Sequence, residues 1–190
     1  MNTLIIGAGG IGSYFASTLD NLLDNDQFNE DWEFTIVDDD EVELKNIRYQ
    51  NFKPQDIDSY KIDALAERYL NLDFEKKRVA LDDISEYDLI LICADNNIIR
   101  RHAWTNWEEN GIPFIDSRSN GRATGIFSSD TDNYLNTIDD STESFSCQFP
   151  YQLAKNEIEL GNRIIAQVLA QGLLTYSRTK KLPTDLNHIF

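Results

Sequence analysis

The first twelve residues constrain this chain more than any other stretch. Leu4, Ile5 and Ile6 form an apolar run without alternation, the pattern of a strand buried on both faces, and lead directly into Gly7, Gly9, Gly10 and Gly12. A helix is predicted over Ile11–Leu23, where Ile11, Phe15, Leu19 and Leu22/Leu23 recur at helical spacing without proline. Strand, glycine turn and helix N-terminus in immediate succession make a dinucleotide-binding fingerprint. Gly7 allows the tight turn, Gly9 lets the backbone approach a phosphate, and Gly12 lets the helix pack closely on the strand. A plain tight βα turn would use the same glycines, so the residues downstream decide between the two.

With 190 residues and 41% hydrophobic content the chain can bury a substantial core, and one domain over residues 1–180 with a tail at 181–190 is expected. The formal net charge of −16 argues against nucleic-acid or anionic-membrane binding, both of which need a basic surface. Cys93 and Cys147 are the only cysteines, without a Cys-x-x-Cys pair, so neither a zinc ribbon nor a disulfide framework is expected and a reducing cytoplasm fits best. The sequence opens at its first strand, which predicts no signal peptide, and no apolar run reaches the ~18 residues of a membrane span.

The second strand is predicted over Glu33–Asp38. It ends on Asp38, where a dinucleotide fold places an acidic side chain against ribose hydroxyls; Asp39 and Asp40 read as solvated turn carboxylates. Glu41–Phe52 lacks either period but gathers Lys45, Asn46, Arg48, Tyr49 and Gln50, a donor-rich segment suited to gripping phosphates. A helix is predicted over Asp58–Leu72, with Lys61 in its first turn, where a cation is unfavourable unless it serves an anion. Arg78–Leu81 and Tyr87–Ala94 read as the next strands, the latter central because Leu89–Cys93 is uniformly apolar. Asp95 follows at the carboxyl edge of that strand, where open α/β sheets place ligand chemistry and where a carboxylate suits Mg²⁺. Asn96 or Asn97 would cap the helix over Ile98–Glu109, on which His102 reads as an ordinary helix or surface residue. Gly111–Asp116 and Arg122–Phe127 read as two more strands, joined too tightly for a crossover helix and so antiparallel. A polar stretch spans Ser128–Gln152, and a last amphipathic helix runs from about Gln152 to Arg178. The fold class expected is α/β, a Rossmann-like, mostly parallel sheet flanked by helices with an antiparallel edge extension.

Four elements then line up in order: Gly7-Ala-Gly-Gly-Ile-Gly12, Val37-Asp-Asp-Asp-Glu-Val-Glu-Leu-Lys-Asn46 running on to Gln50, Lys61, and Cys93-Ala-Asp-Asn96. Together they resemble the ubiquitin-activating-enzyme-like (ThiF/MoeB/HesA) adenylyltransferase family over roughly residues 3–175. That resemblance implies ATP and Mg²⁺ as cofactors, with adenylation of the C-terminal carboxylate of a small β-grasp protein or a peptide and release of pyrophosphate. It implies a nucleotide site of Gly7, Gly9, Gly10, Gly12, Asp38, Lys45, Asn46, Gln50, Lys61 and Asn96, with Asp95 on Mg²⁺ and Lys61, Asp95 and Arg48 in the chemistry. It further implies a dimer, with a second copy or a related subunit.

The family's phosphate-binding arginine aligns with Tyr49, and Arg48 stands one position earlier. The helix that precedes the first strand in relatives, and the zinc-binding cysteine pairs of many of them, have no counterpart in the sequence. These departures keep open a catalytically degenerate nucleotide-binding subunit that scaffolds or completes an active partner. An NAD-dependent oxidoreductase would explain the glycine turn but not Lys61 or the Asp95–Asn96 pair. Cys147 falls where some relatives carry a thioester-forming thiol, yet Ser146 and Gln148 offer no base or cation to activate it, so it reads as an incidental loop or buried cysteine ahead of a thioester nucleophile.

Overall fold

The computed structural model describes residues 1–28, 31–79, 84–139, 155, 158–184 and 186–189. Its elements, in chain order, are β1 (Asn2–Ile6), α1 (Gly10–Asp24), β2 (Glu33–Asp38), α2 (Lys61–Ala66), β3 (Asp73–Lys76), β4 (Leu89–Ile92), α3 (Asn97–Asn110), β5 (Phe114–Asn120), β6 (Ala123–Ser128), α4 (Gly161–Thr179) and β7 (Leu186–Ile189). The strands form one sheet in the order β3-β2-β1-β4-β5-β6-β7, parallel from β3 to β5 and antiparallel across β5–β6 and β6–β7. This is the expected Rossmann-like α/β fold with its antiparallel extension. The chain reverses strand order between β1 and β4, and ligands of open α/β sheets bind at such a switch point, outside the carboxyl ends of the strands.

Uninterrupted apolar runs build the centre of the sheet because helices or loops cover both faces. In β1, Ile5 faces one core with Phe15 and Leu19 of α1 and Ile165 and Leu169 of α4. Leu4 and Ile6 face the other core, with Ala103 of α3, Phe114 and Tyr134. All four residues of β4 are buried, as five consecutive apolar residues required.

Three elements depart from the sequence pattern. The third strand is Asp73–Lys76, five residues before the predicted Arg78–Leu81; residues 78 and 79 carry no regular structure, and 80 and 81 lie outside the described residues. This strand is at the edge of the sheet, where charged side chains are tolerated and no hydrophobic signal is needed. Helix α2 stops at Ala66 rather than Leu72. Arg68 Nε donates to the Ala64 carbonyl at 2.8 Å while its Nη1 donates to the Asn51 carbonyl at 3.0 Å and its Nη2 to Asp56 Oδ2 at 2.6 Å, so one side chain satisfies a helix-end carbonyl and pins it to the preceding loop. The predicted stripe still faces inward, with Ile62, Leu65 and Leu72 buried. Beyond Lys181, where a partly ordered tail is expected, Leu186–Ile189 pair with Ile126–Ala123 as the outermost strand. The last long helix is described from Gly161, and its predicted start at Gln152 lies outside the described residues. Among the described residues no helix is long and apolar enough to cross a membrane.

Candidate functional site

At the switch point a crevice of about 740 Å³ opens between the β1–α1 turn, the loop after β2, the end of β3 and the start of α3. Gly7 forms its floor. Its φ of +102° is a conformation that glycine adopts without cost, and its N–H donates to the Val37 carbonyl at 2.9 Å. A Cβ at Gly7 would lie 3.0 Å from the Ala94 nitrogen, so the missing side chain brings the ends of β1 and β4 together. A Cβ on Gly12 would lie 1.9 Å from the Gly7 carbonyl oxygen, which is the close helix-to-strand approach predicted from sequence. At Gly9 the nearest atom to a Cβ is Gln50 Nε2 at 3.9 Å, so the turn faces open space there. No side chain caps α1, and its first N–H groups point toward that space without intrahelical acceptors.

Asp38 braces this turn. Its Oδ2 accepts the Ala8 N–H at 2.7 Å and its Oδ1 accepts the Asp40 N–H at 2.9 Å. Burial raises its pKa above the usual carboxylate range, and the nearby Lys61 ammonium and the two backbone donors only partly offset that. Lys61 is itself buried, with Nζ 2.5 Å from Asp40 Oδ2 and 3.6 Å from Asp38 Oδ1. Asp40 is the solvated turn carboxylate expected, its side chain 68% exposed, but it also has a second role. It holds the Lys61 ammonium with its side chain, and its carbonyl accepts the Lys61 N–H at 3.0 Å, which sets the first residue of α2. A lysine at a helix start is stabilised here by carboxylates on both sides, and it lines the crevice between them.

The loop from 41 to 52 contributes Lys45, Asn46, Tyr49 and Gln50 to the wall. Asn46 is buried and accepts the Glu43 N–H on its Oδ1 at 2.8 Å while its own N–H donates to the Glu43 carbonyl at 2.8 Å, a reciprocal clasp that shapes the loop. Lys45 pairs with Glu43 Oε1 at 2.8 Å, and that hydrogen bond raises its pKa. Gln50 is nine-tenths buried, and its Oε1 has no hydrogen-bond partner among the described residues, an acceptor lacking a donor beside the open glycine turn. Arg48 is exposed and does not line the crevice; Tyr49, buried, stands there instead. The structure thus does not bring Arg48 to Lys61 and Asp95.

Asp95, which follows the Ala94 packed on Gly7, lines the crevice, and Asn96 caps α3, its Oδ1 accepting the Ile98 and Ile99 N–H groups at 2.9 and 3.2 Å. The residue that fixes this corner is one the sequence did not single out. Arg100, almost wholly buried, donates from Nη2 to the Ala94 carbonyl at 3.3 Å, from Nη1 to Asn97 Oδ1 at 2.9 Å, and from Nε to Asp116 Oδ1 at 3.3 Å. Burial alone would lower its pKa; the Asp116 and Asp95 charges outweigh that and raise it. Asp116, fully buried on β5, also accepts Arg118 Nε at 2.7 Å and the Tyr134 hydroxyl at 2.9 Å. The only sequence hint was an acidic residue inside an apolar strand downstream of two arginines.

Other contributors also escaped the sequence. Asn162, 1% exposed at the start of α4, donates to the Tyr49 carbonyl at 3.2 Å and packs where a Cβ on Gly10 would fall, so it seals the 41–52 loop against α1. Lys77, Arg78, Ile98 and His102 line the crevice as well. Among the described residues its titratable lining comprises four cations, Lys45, Lys61, Lys77 and Arg78, and five carboxylates, Asp38, Asp39, Asp40, Glu43 and Asp95, which together are close to neutral apart from His102. No group of three or more His, Cys, Asp or Glu side chains able to hold a metal occurs among the described residues. Cys147 lies outside them.

The sequence matches the model of the ThiF family over residues 1–188. No curated protein sequence matches the chain. Among solved structures, Escherichia coli MccB crystallised with ATP aligns with a TM-score of 0.65 at 17% identity, covering 96% of this chain and 56% of that one. MccB with AMPCPP and MccA gives 0.65 at 17% identity, covering 96% and 57%. PaaA gives 0.64 at 16% identity, covering 96% and 57%. The chain spans a little over half the length of these proteins, and at such identities the likeness establishes the fold. A family match over nearly the whole sequence, on this strand order and this glycine turn, places the chain in the ThiF family.

Proposed function

We propose that the chain is an ATP-dependent adenylyltransferase that activates the terminal carboxylate of a small protein or peptide. The observation that carries this is the convergence of an open glycine turn, Asp38, Lys61 and Asp95 on one crevice at the switch point of the sheet. Family membership and the similarity to MccB, itself crystallised with ATP and with MccA, support it.

In this reading Asp38 accepts the ribose hydroxyls, and the α1 N-terminus with Gly9 and Gly10 takes up phosphate oxygens. Lys61 exchanges part of its contact with Asp40 for a phosphate and stabilises charge as it moves onto pyrophosphate. An acceptor carboxylate oxygen bonds to the α-phosphorus, the bond to the bridging oxygen of the β-phosphate breaks, and pyrophosphate departs with that electron pair; no proton changes hands. The donor set fits Mg²⁺, which is commonly bound through one or two carboxylates together with phosphate oxygens and water, and Asp95 is the residue that would hold it. Bound there, it would neutralise phosphate charge. Asp95 is kept in place through the Ala94 carbonyl held by Arg100.

Calorimetry with Mg-ATP tests the site. Lys61→Ala and Asp95→Ala are expected to weaken binding by about tenfold or more, the worth of a charge-assisted contact. Unchanged affinity in both variants, or no binding by the wild type, would sink the proposal. Mg²⁺-dependent exchange of pyrophosphate into ATP with an acceptor tests the chemistry. The exposure of Arg48, with Tyr49 in the wall, favours one second reading: a nucleotide-binding subunit that completes an active partner, which would bind ATP and exchange nothing by itself.

A further inference from the structure

A second cavity of about 410 Å³ lies on the β5–β6–β7 side of the same strand ends, and it shares Cys93, Ala94 and Asp95 with the larger crevice. The two spaces meet at the corner where Asp95 stands. We propose that this cavity receives the acceptor's terminal carboxylate, with Arg118 as the cation that anchors it; this rests on the adenylyltransferase reading above.

The charge arrangement carries the assignment. Arg100 and Arg118 share one carboxylate, Asp116, which is fully buried and does not line the cavity, whereas both arginines do. Two guanidinium groups share the single charge of Asp116, and Asp95, 3.6 Å from Arg100 Nη1, balances the excess on the Arg100 side, which leaves Arg118 as the cation facing the cavity. Arg118 is also held rigidly: Nη1 donates to the Thr137 carbonyl at 2.7 Å, Nη2 to Thr137 Oγ1 at 3.0 Å, and the guanidinium stacks 4.3 Å above the Phe127 ring. With its contacts to Asp116, these use at most four of five N–H groups, and the side chain remains 20% exposed. A planar, preoriented guanidinium suits a carboxylate better than a mobile ammonium does. The cavity's own carboxylates lie apart from Arg118's contacts. Asp95 is at the junction, 3.6 Å from Arg100 Nη1, and the exposed Asp139 accepts Asn97 Nδ2 at 2.7 Å. A carboxylate entering from the β6 side therefore meets Arg118 on one wall and the nucleotide crevice beyond.

Arg118→Gln also strips Asp116 of a partner and can unfold the chain, so the test places charge on Ala123, an exposed lining residue outside the network. The full chain, saturated with AMPCPP to prevent turnover, is titrated with N-acetylglycine and with N-acetylglycinamide while the Arg118 Nε–Hε resonance is followed by NMR. The carboxylate is expected to shift that resonance and the amide to leave it in place. Ala123→Asp should weaken N-acetylglycine binding by about threefold to tenfold and Ala123→Lys should tighten it, through one charge acting across a partly solvated cavity, with AMPCPP affinity unchanged in both. Equal shifts from acid and amide, no shift at tens of millimolar, or indifference to the charge at Ala123 overturns the proposal. Failure of AMPCPP to bind instead removes the nucleotide reading, and the same titration without nucleotide then judges the carboxylate site separately.

Discussion

Replacing Asp116 with Asn keeps shape and volume at the centre of the Arg100–Asp116–Arg118–Tyr134 network and removes only its negative charge. Asp116 is 0% exposed, and both arginines lie within 3.3 Å of it. In D116N two guanidinium groups, one nearly buried, lose their shared counter-charge, and the amide nitrogen faces donors instead of pairing with them. Removing one partner of a buried ion pair costs about 3–5 kcal/mol. For 190 residues the entropy of unfolding near the midpoint is about 400 cal/mol/K, so the loss corresponds to a melting temperature lower by about 10 °C. Differential scanning calorimetry measures it directly, and urea unfolding should show a lower midpoint with an unchanged slope. Because Arg100 also holds the Ala94 carbonyl beside Asp95, Mg-ATP affinity should fall in the same variant even at temperatures where it is folded. A D116N midpoint within about 2 °C of wild type would refute the view that this charge organises the corner.

Three further outcomes are expected. Carbon-detected NMR titration should find the Asp38 carboxyl ionising above its usual 3.8, and Lys61→Met should raise it further by removing the charge that now lowers it; a downward shift would contradict the geometry. The sign for stability follows: the folded state binds this proton more tightly than the unfolded chain, so Asp38 lowers stability as pH rises from the unfolded value through the raised folded one. Burial, then the Asp116 charge, push the Tyr134 pKa far above 10, so stability due to its protonated hydroxyl is complete below about pH 10 and is lost in more alkaline solution; Tyr134→Phe should flatten that loss while costing about 1–2 kcal/mol at neutral pH, measured by chemical denaturation. Gly12→Ala, whose Cβ would lie 1.9 Å from the Gly7 oxygen, should fail to give a soluble folded chain, and a cooperative melt near that of wild type would show the α1–β1 contact to be adjustable.

What could be read in the sequence was what one-dimensional pattern encodes. Leu4–Ile6 and Leu89–Ile92 are buried on both faces and had to be apolar throughout, β2 ends at Asp38 as its pattern implied, and Asn96 precedes its helix as a capping residue should. The strand at Asp73–Lys76 escaped because an edge strand carries charge and needs little burial; only Phe74 gave an apolar signal. The end of α2 escaped because Arg68, reaching back to Ala64 and across to Asn51 and Asp56, stops it through contacts that no helix propensity contains. In the site, the glycine spacing conveyed its steric logic. Asp40's hold on Lys61, the pairing of Arg100 with Asp116, and the seal made by Asn162 on Tyr49 are meetings of residues 21, 16 and 113 positions apart, which a linear pattern does not encode. Arg48 and Tyr49 are neighbours in sequence that a short 3₁₀ turn sends in different directions, and no spacing rule chose between them.

The near-neutral lining of the crevice has a kinetic consequence for the proposed nucleotide. The chain as a whole carries a charge of −16, and among the described residues of the crevice four cations against five carboxylates provide no local excess to draw in a polyphosphate. Long-range forces therefore oppose the encounter, and the favourable contacts act only at close range, once the phosphates reach the glycine turn. Added salt should then speed capture by screening the repulsion over roughly 10 Å at 0.1 M, the reverse of the slowing that salt imposes on electrostatically steered enzymes. Such a molecule would collect its nucleotide without attracting it from afar, and its rate of loading would follow the ionic strength around it.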